Sequence, residues 1–159
     1  MKAELKLMKS GGQAGFILLM AEKLYSSFHA TQNRVRHITE GRFLMHEIID
    51  KKSRFIGYAA RVQSEEEAKA FIAEIAAEHK KARHIAYAYV LSNIAKMNDD
   101  GEPKGTAGLP IYNVITRRSL QNIVVVVVRY FGGTLLGKGG LIRAYGKASG
   151  LAIDGSELL

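Results

Sequence analysis

No cysteine occurs anywhere in the 159 residues, so the chain has no disulfide framework, no cysteine-ligated zinc or iron–sulfur site and no thiol nucleophile. Long hydrophobic runs are missing as well. The most apolar stretch near the N-terminus, Ala14 to Ala21, falls far short of the ~20 residues that cross a bilayer. Lys2, Lys6 and Lys9 ahead of it resemble the basic region of a secretory signal, but Glu22 and Lys23 follow at once and no small-x-small cleavage site is present. The expectation is a cytoplasmic protein with no membrane partner. Acidic residues are the scarce charge: 15 Asp and Glu against 23 Lys and Arg leave a net charge of +8, which points to an anionic partner. Apolar residues make up 47% and charged residues 24%, the balance of one ordinary globular domain rather than a disordered or collagen-like chain.

Residues 1–40 read as an N-terminal extension. Phe16, Leu19, Met20, Leu24 and Phe28 recur at three- and four-residue steps and suit a short docked amphipathic helix, which Gly11, Gly12 and Gly15 keep from extending further. Residues 41–159 read as one α/β domain. Phe43 to Ile49 and Arg54 to Val62 are a pair of strands around a polar turn. Ser64 stands three residues before Glu67 as a capping box, and Ala68, Phe71, Ile72 and Ile75 follow at helical spacing. Glu65, Glu66 and Glu67 at its start and Lys80, Lys81 and Arg83 at its end and exit match the helix dipole without a functional role.

Ile85 to Leu91 is a further strand, and Ile111, Val114 and Ile115 suit a helix with Pro110 in its first turn. Asn122 to Tyr130 contains five consecutive valines, the mark of a strand buried on both faces or in a sheet centre. A last helix is expected from Gly140, with Leu141, Ile142, Tyr145, Ala148, Ser149 and Ala152 on one side. Helices alternating with strands predict a two-layer α/β or α+β domain.

Gly132 to Gly140 packs five glycines into nine residues between the valine strand and the last helix, the setting in which backbone N–H groups hold an anion. Arg129, Lys138, Arg143 and Lys147 flank it without an acidic residue among them. Arg143 is expected in the first turn of the helix, where the dipole disfavours a cation unless a bound anion compensates. The loop is not a Walker A motif, because Gly139 stands where Ser or Thr holds magnesium, and not a dinucleotide fingerprint, because Ile142 replaces the third glycine. Alternatively, the glycines serve only a tight turn and close packing.

Asp99, Asp100 and Glu102 are three carboxylates in four residues, but Lys96 occupies the first ligand position of an EF-hand, and Asp100-Gly101 is a strong turn dipeptide. No metal site is therefore assigned. Asp99 and Glu102 can also pair with Arg129 or Arg143. His84 opens a strand as an acid, a base or a hydrogen-bonded structural residue. Tyr87, Tyr89, Tyr130, Phe131 and Tyr145 offer faces for base stacking, although most belong in a core.

Taken together, Lys52-Ser-Arg-Phe-Ile56, His84-x-x-Tyr-Ala-Tyr89, Asp99-Asp-Gly-Glu-Pro103, Gly105-Thr-Ala-Gly108, Arg129-Tyr-Phe-Gly-Gly133, Gly139-Gly-Leu141 and Arg143-Ala-Tyr145 closely resemble the N-terminal domain of the IMPACT/YigZ family. The resemblance implies a two-layer sandwich of the ribosomal-protein-like type, related to elongation factor domain IV and the GHMP kinases. It implies that Asp99, Asp100, Glu102, Thr106, Arg129, Gly132, Gly133, Lys138 and Arg143 share a face; Gly139, Gly140 and Lys147 are further anion-binding candidates from the residues themselves, and His84 a further residue of the acidic side. It also implies a role in translational regulation under stress. Ala86 stands where relatives commonly carry Cys, and the ferredoxin-like C-terminal domain usual in bacterial members is expected to be absent. The resulting expectation is a noncatalytic module, without a cofactor, that binds RNA or a ribosome-associated factor through the glycine-rich basic face. A protein-partner regulator and an enzyme acting on a phosphorylated small molecule are the alternatives.

Overall fold

The computed structural model describes residues 46–156; the expected docked helix within residues 1–40 and the start of the first strand lie outside them. The elements are β1 (His46–Asp50), β2 (Ser53–Arg61), α1 (Glu65–Glu78), β3 (His84–Val90), β4 (Ala95–Asn98), α2 (Gly108–Arg117), β5 (Ile123–Tyr130) and α3 (Gly137–Gly155). The sheet order is β1-β2-β5-β3-β4, with every neighbouring pair antiparallel.

The valine strand β5 lies at the centre, as its composition requires. Val125 and Val127 join Phe55, Ala59, Ala86 and Ala88 on the face covered by α2 and α3. Val124, Val126 and Val128 join Ile56, Tyr58 and Ala60 on the face covered by α1. The expected two-layer sandwich is therefore corrected to three layers. A run of β-branched side chains buried on both faces needs apolar cover on both, each valine gaining about 1.5–3 kcal/mol from burial. Gly57 lets α3 approach β2 closely: a Cβ there would sit 2.5 Å from the Ala148 carbonyl oxygen.

Ser64 caps α1 as its sequence predicts, its Oγ accepting from the Glu67 N–H at 3.2 Å. The Glu67 carboxylate accepts from the N–H of Gln63, one residue earlier than a strict capping box. At the other end, His79 ties the helix to the sheet. Its Nε2 and Nδ1 each lie 2.6 Å from a tyrosine hydroxyl, those of Tyr58 and Tyr130. Burial pushes the Tyr58 hydroxyl up to about 12 and the His79 ring below its usual range.

Two boundaries differ from expectation. Strand β4 is not foreseen, because all four of its residues are exposed and carry no alternation; it is a short edge strand whose Lys96 reaches Glu65 at 2.9 Å. Helix α3 begins at Gly137 rather than Gly140, so the second half of the glycine segment is its first turn. Ile142, expected on the packed side, is exposed.

Register then positions the site. Arg54 pairs with Tyr130 and His84 with Arg129, so the β1–β2 turn, the α1–β3 connection and the β5–α3 loop all emerge at one end of the sheet. Among the described residues no helix is long and apolar enough to cross a membrane.

Candidate functional site

The residues singled out by sequence divide into a buried group and an exposed one. Arg129, expected to face a phosphate, is only 5% exposed. Its Nη1 donates to Glu102 Oε1 at 2.7 Å, and its Nη2 lies 3.5 Å from Ser53 Oγ. Its Nε is buried and has no partner among the described residues. The same Glu102 oxygen accepts from the Tyr145 hydroxyl at 2.7 Å, and Glu102 Oε2 lies 3.7 Å from His84 Nε2. Burial and the neighbouring carboxylate raise Tyr145 well above the usual phenol range. His84 Nδ1 donates to the Asp100 carbonyl at 2.7 Å, which fixes the ring's orientation. The phosphate-facing role of Arg129 is thus corrected in favour of the alternative, its pairing with Glu102, whose carboxylate links β5 and the α3 residue Tyr145 to the loop before α2.

The acidic segment is equally committed. Asp99 accepts from the N–H groups of Gly105, Ala107 and Gly108 at 2.9, 3.1 and 2.8 Å. It caps the N-terminus of α2, whose own N-cap residue Ala107 supplies no side-chain bond. Asp100 Oδ2 accepts from the Ile85 N–H, and Asp100-Gly101 adopts the left-handed backbone its sequence predicts, with φ of 46° and 82°. Thr106 is buried, its hydroxyl donating to the Pro103 carbonyl. Among the described residues no group of three or more His, Asp or Glu is placed to hold a metal ion.

Burial alone would raise the Asp99 carboxyl, but its three backbone donors outweigh this and hold it below its ordinary value near 3.8. A carboxylate depressed in the folded state stabilises above the unfolded value, and that contribution is lost as pH falls through the folded one. Both Asp99 oxygens accept, so Asp99→Asn sets an NH2 group against a backbone N–H and is expected to lose about 1–2 kcal/mol at pH 7. Its urea midpoint should converge on that of the wild type as pH falls below about 4; a gap that persists at pH 2 contradicts this role.

The exposed group is cationic. Lys138, Arg143 and Lys147 are all exposed on α3, and none forms an ion pair among the described residues. The earlier helix start moves Arg143 into the second turn and puts Lys138 in the first. That turn contains no acidic residue, and its N-cap, Leu136, makes no side-chain bond. Lys138, not Arg143, is therefore the cation that the dipole disfavours unless a bound anion compensates. Arg143 still serves the same end: its Nη1 lies 3.3 Å from where a Gly139 Cβ would be, folded back over the first turn. Gly140 packs against Leu136, while Gly133 and Gly137 have φ of 89° and 75°. Gly132 has a separate role, donating its N–H to Ser53 Oγ at 3.2 Å and lying against the Lys52 backbone.

Sequence reasoning missed the cations that this contact brings alongside. Lys51 and Lys52 are exposed at the β1–β2 turn, at φ of 44° and 68°, a type I′ geometry that ordinarily favours Asn and Gly. Lys80, Lys81 and Arg83 are exposed in the α1–β3 connection, beyond the last helical residue Glu78, so the dipole of α1 does not account for them. The signal that could have found them is strand pairing, since each flanks the start of a strand adjoining β5.

The chain matches the family model of the Impact N-terminal domain over residues 51–153. It is 53% identical over 106 residues to IMPACT family member YvyE of Bacillus subtilis, covering 65% of this chain and 49% of that protein. It is 48% identical over 101 residues to IMPACT family member YigZ of Escherichia coli, covering 60% and 50%. A solved structure titled "Crystal structure of an hypothetical protein" aligns with a TM-score of 0.67 at 43% identity, covering 69% of this chain and 56% of that one. The chain spans about half the length of the curated relatives it matches. The buried Glu102, Arg129 and Tyr145 fall within the matched region and come from three of the motif blocks quoted above, and the chain belongs to the IMPACT family.

Proposed function

We propose that this domain is a noncatalytic, translation-associated regulatory module that binds RNA, free or on a ribosome-associated surface, through the basic end of its sheet. The observation that carries the reading is the convergence of Lys51, Lys52, Lys80, Lys81, Arg83, Lys138 and Arg143 at that end, on loops held by the central strands and by the first turns of α3. Asp99, Asp100 and Glu102 neutralise little of this charge, because they are spent on the α2 N-terminus, the β3 backbone and the buried Arg129. Phosphates satisfy such an array by releasing counterions, and the uncapped N–H groups of α3 add a fixed partial positive charge. Family membership supports the regulatory context, since the resemblance implies translational control.

The test is the salt dependence of affinity for structured RNA. Lys138→Ala and Arg143→Ala are each expected to flatten the log-affinity against log-salt slope by about one unit. Arg129→Ala does not serve as a probe, because it removes a buried ion-pair partner rather than a surface cation. A protein-partner regulator is the second reading, favoured by the exposed Leu135 and Ile142 beside Lys138 and Arg143. On that reading RNA binds weakly and a pull-down returns a discrete protein.

A further inference from the structure

Of the aromatic residues that sequence offers for base stacking, Tyr89 and Tyr145 are fully buried, and Tyr87 and Tyr130 are partly so. Phe131 is the exception. It follows the last residue of β5, and 43% of it is exposed to solvent. The guanidinium carbons of Arg83 and Arg129 lie 5.7 and 5.6 Å from its ring centroid. Both guanidiniums lie over the ring: that of buried Arg129 anchors it from within, and that of exposed Arg83 covers it with a solvent-exposed side chain whose displacement toward a phosphate bares the ring to a base.

We infer that Phe131 is a stacking platform for an unpaired nucleotide, with Arg83 and the neighbouring lysine turns taking the flanking phosphates. This deepens the RNA-binding reading and rests on it, naming single-stranded RNA segments as the ligand class. An exposed ring among cations suits a nucleotide because one ligand unit supplies both a flat π-face and an anion. An acidic protein segment satisfies the cations but leaves the ring without a planar partner. The ring follows the last residue of a central strand and is fixed from within by the buried Arg129, so it keeps its place when Arg83 turns to a phosphate.

The test is fluorescence anisotropy with a labelled single-stranded oligonucleotide and a fully paired RNA duplex, using wild type, Phe131→Leu and Phe131→Tyr at one salt concentration. Leucine keeps apolar bulk against Arg129, so the variant retains its fold while losing the π-face; tyrosine retains the face. Phe131→Leu is expected to weaken single-strand binding about 5- to 150-fold, the loss of one base stack, with duplex affinity unchanged and Phe131→Tyr near wild type. Single-strand affinity unchanged in Phe131→Leu, while Lys138→Ala still flattens the salt slope, overturns the stacking role and leaves RNA binding standing. Wild type that binds neither RNA but retains poly-glutamate overturns both.

Discussion

Glu102→Ala is expected to destabilise the domain by about 3–5 kcal/mol, the cost of leaving a buried charge without its partner. One carboxylate oxygen accepts from both Arg129 and Tyr145 at 2.7 Å, so truncation strands a guanidinium whose Nε already lacks a partner, together with a fully buried phenol. Stability of small domains is about 5–15 kcal/mol in total, so this loss is a large fraction of it and lowers the unfolding midpoint markedly. Glu102→Gln keeps an acceptor but not the charge and should fall between alanine and wild type. The check is the urea midpoint of the three proteins at pH 7. An alanine variant within experimental error of wild type would mean that Arg129 is readily solvated, and that the cluster does not hold β5, α3 and the loop before α2 together.

Gly132→Ala is expected to cost about 2–3 kcal/mol through overpacking, with the damage centred on the β1–β2 turn. A Cβ at this position would be driven into the Lys52 carbonyl group and the Ser53 nitrogen, which are backbone atoms rather than the movable end of a side chain. Relief requires the β5–α3 loop to separate from the turn, breaking the Gly132 N–H bond to Ser53 Oγ. Ser53 also lies beside Arg129, so the disturbance reaches the buried cluster. Gly133 is the internal control: it has φ of 89° but open space around a Cβ, so Gly133→Ala pays only the left-handed backbone penalty of about 1 kcal/mol. Thermal unfolding of the two variants separates the effects. A Gly132→Ala loss no larger than that of Gly133→Ala would show that the β5–α3 loop moves away from the Lys52 backbone at little cost.

The elements most legible in the sequence are those whose signals are local. Ser64 with Glu67 marks the start of α1, Asp100-Gly101 marks a left-handed turn, and five valines mark the central strand. That same valine run contained the layer count, since burial on both faces demands helices on both, yet alternation of helices and strands by itself suggested two layers. Strand β4 was invisible because an exposed edge strand is defined by its partner, not by apolar spacing. The start of α3 was displaced because glycines lower helix propensity while leaving the backbone free to be helical once Leu136 and Leu141 pack.

The site was legible as a collection of residues and not as an arrangement. Glu102 and Tyr145 are 43 residues apart, and Asp99 caps a helix from 9 residues before its first position. Pairings of this kind depend on which strands are neighbours, which composition does not encode. Charge alone leaves Arg129 open between the basic face and a carboxylate partner, and only the buried pair with Glu102 decides it. Lys80, Lys81 and Arg83 match the helix dipole in sequence, but the helix ends before them.

The central claim is that the exposed cations at one end of the sheet form a phosphate-contacting surface. The most direct measurement is an anisotropy titration of structured RNA at several salt concentrations, comparing wild type with Lys138→Ala and Arg143→Ala. The account predicts a steep wild-type slope, roughly −3 or steeper in log-affinity against log-salt if at least three cations meet phosphates, and a flattening of about one unit in each variant. A shallow wild-type slope, or variants indistinguishable from wild type, would contradict it and identify these cations as solvated surface.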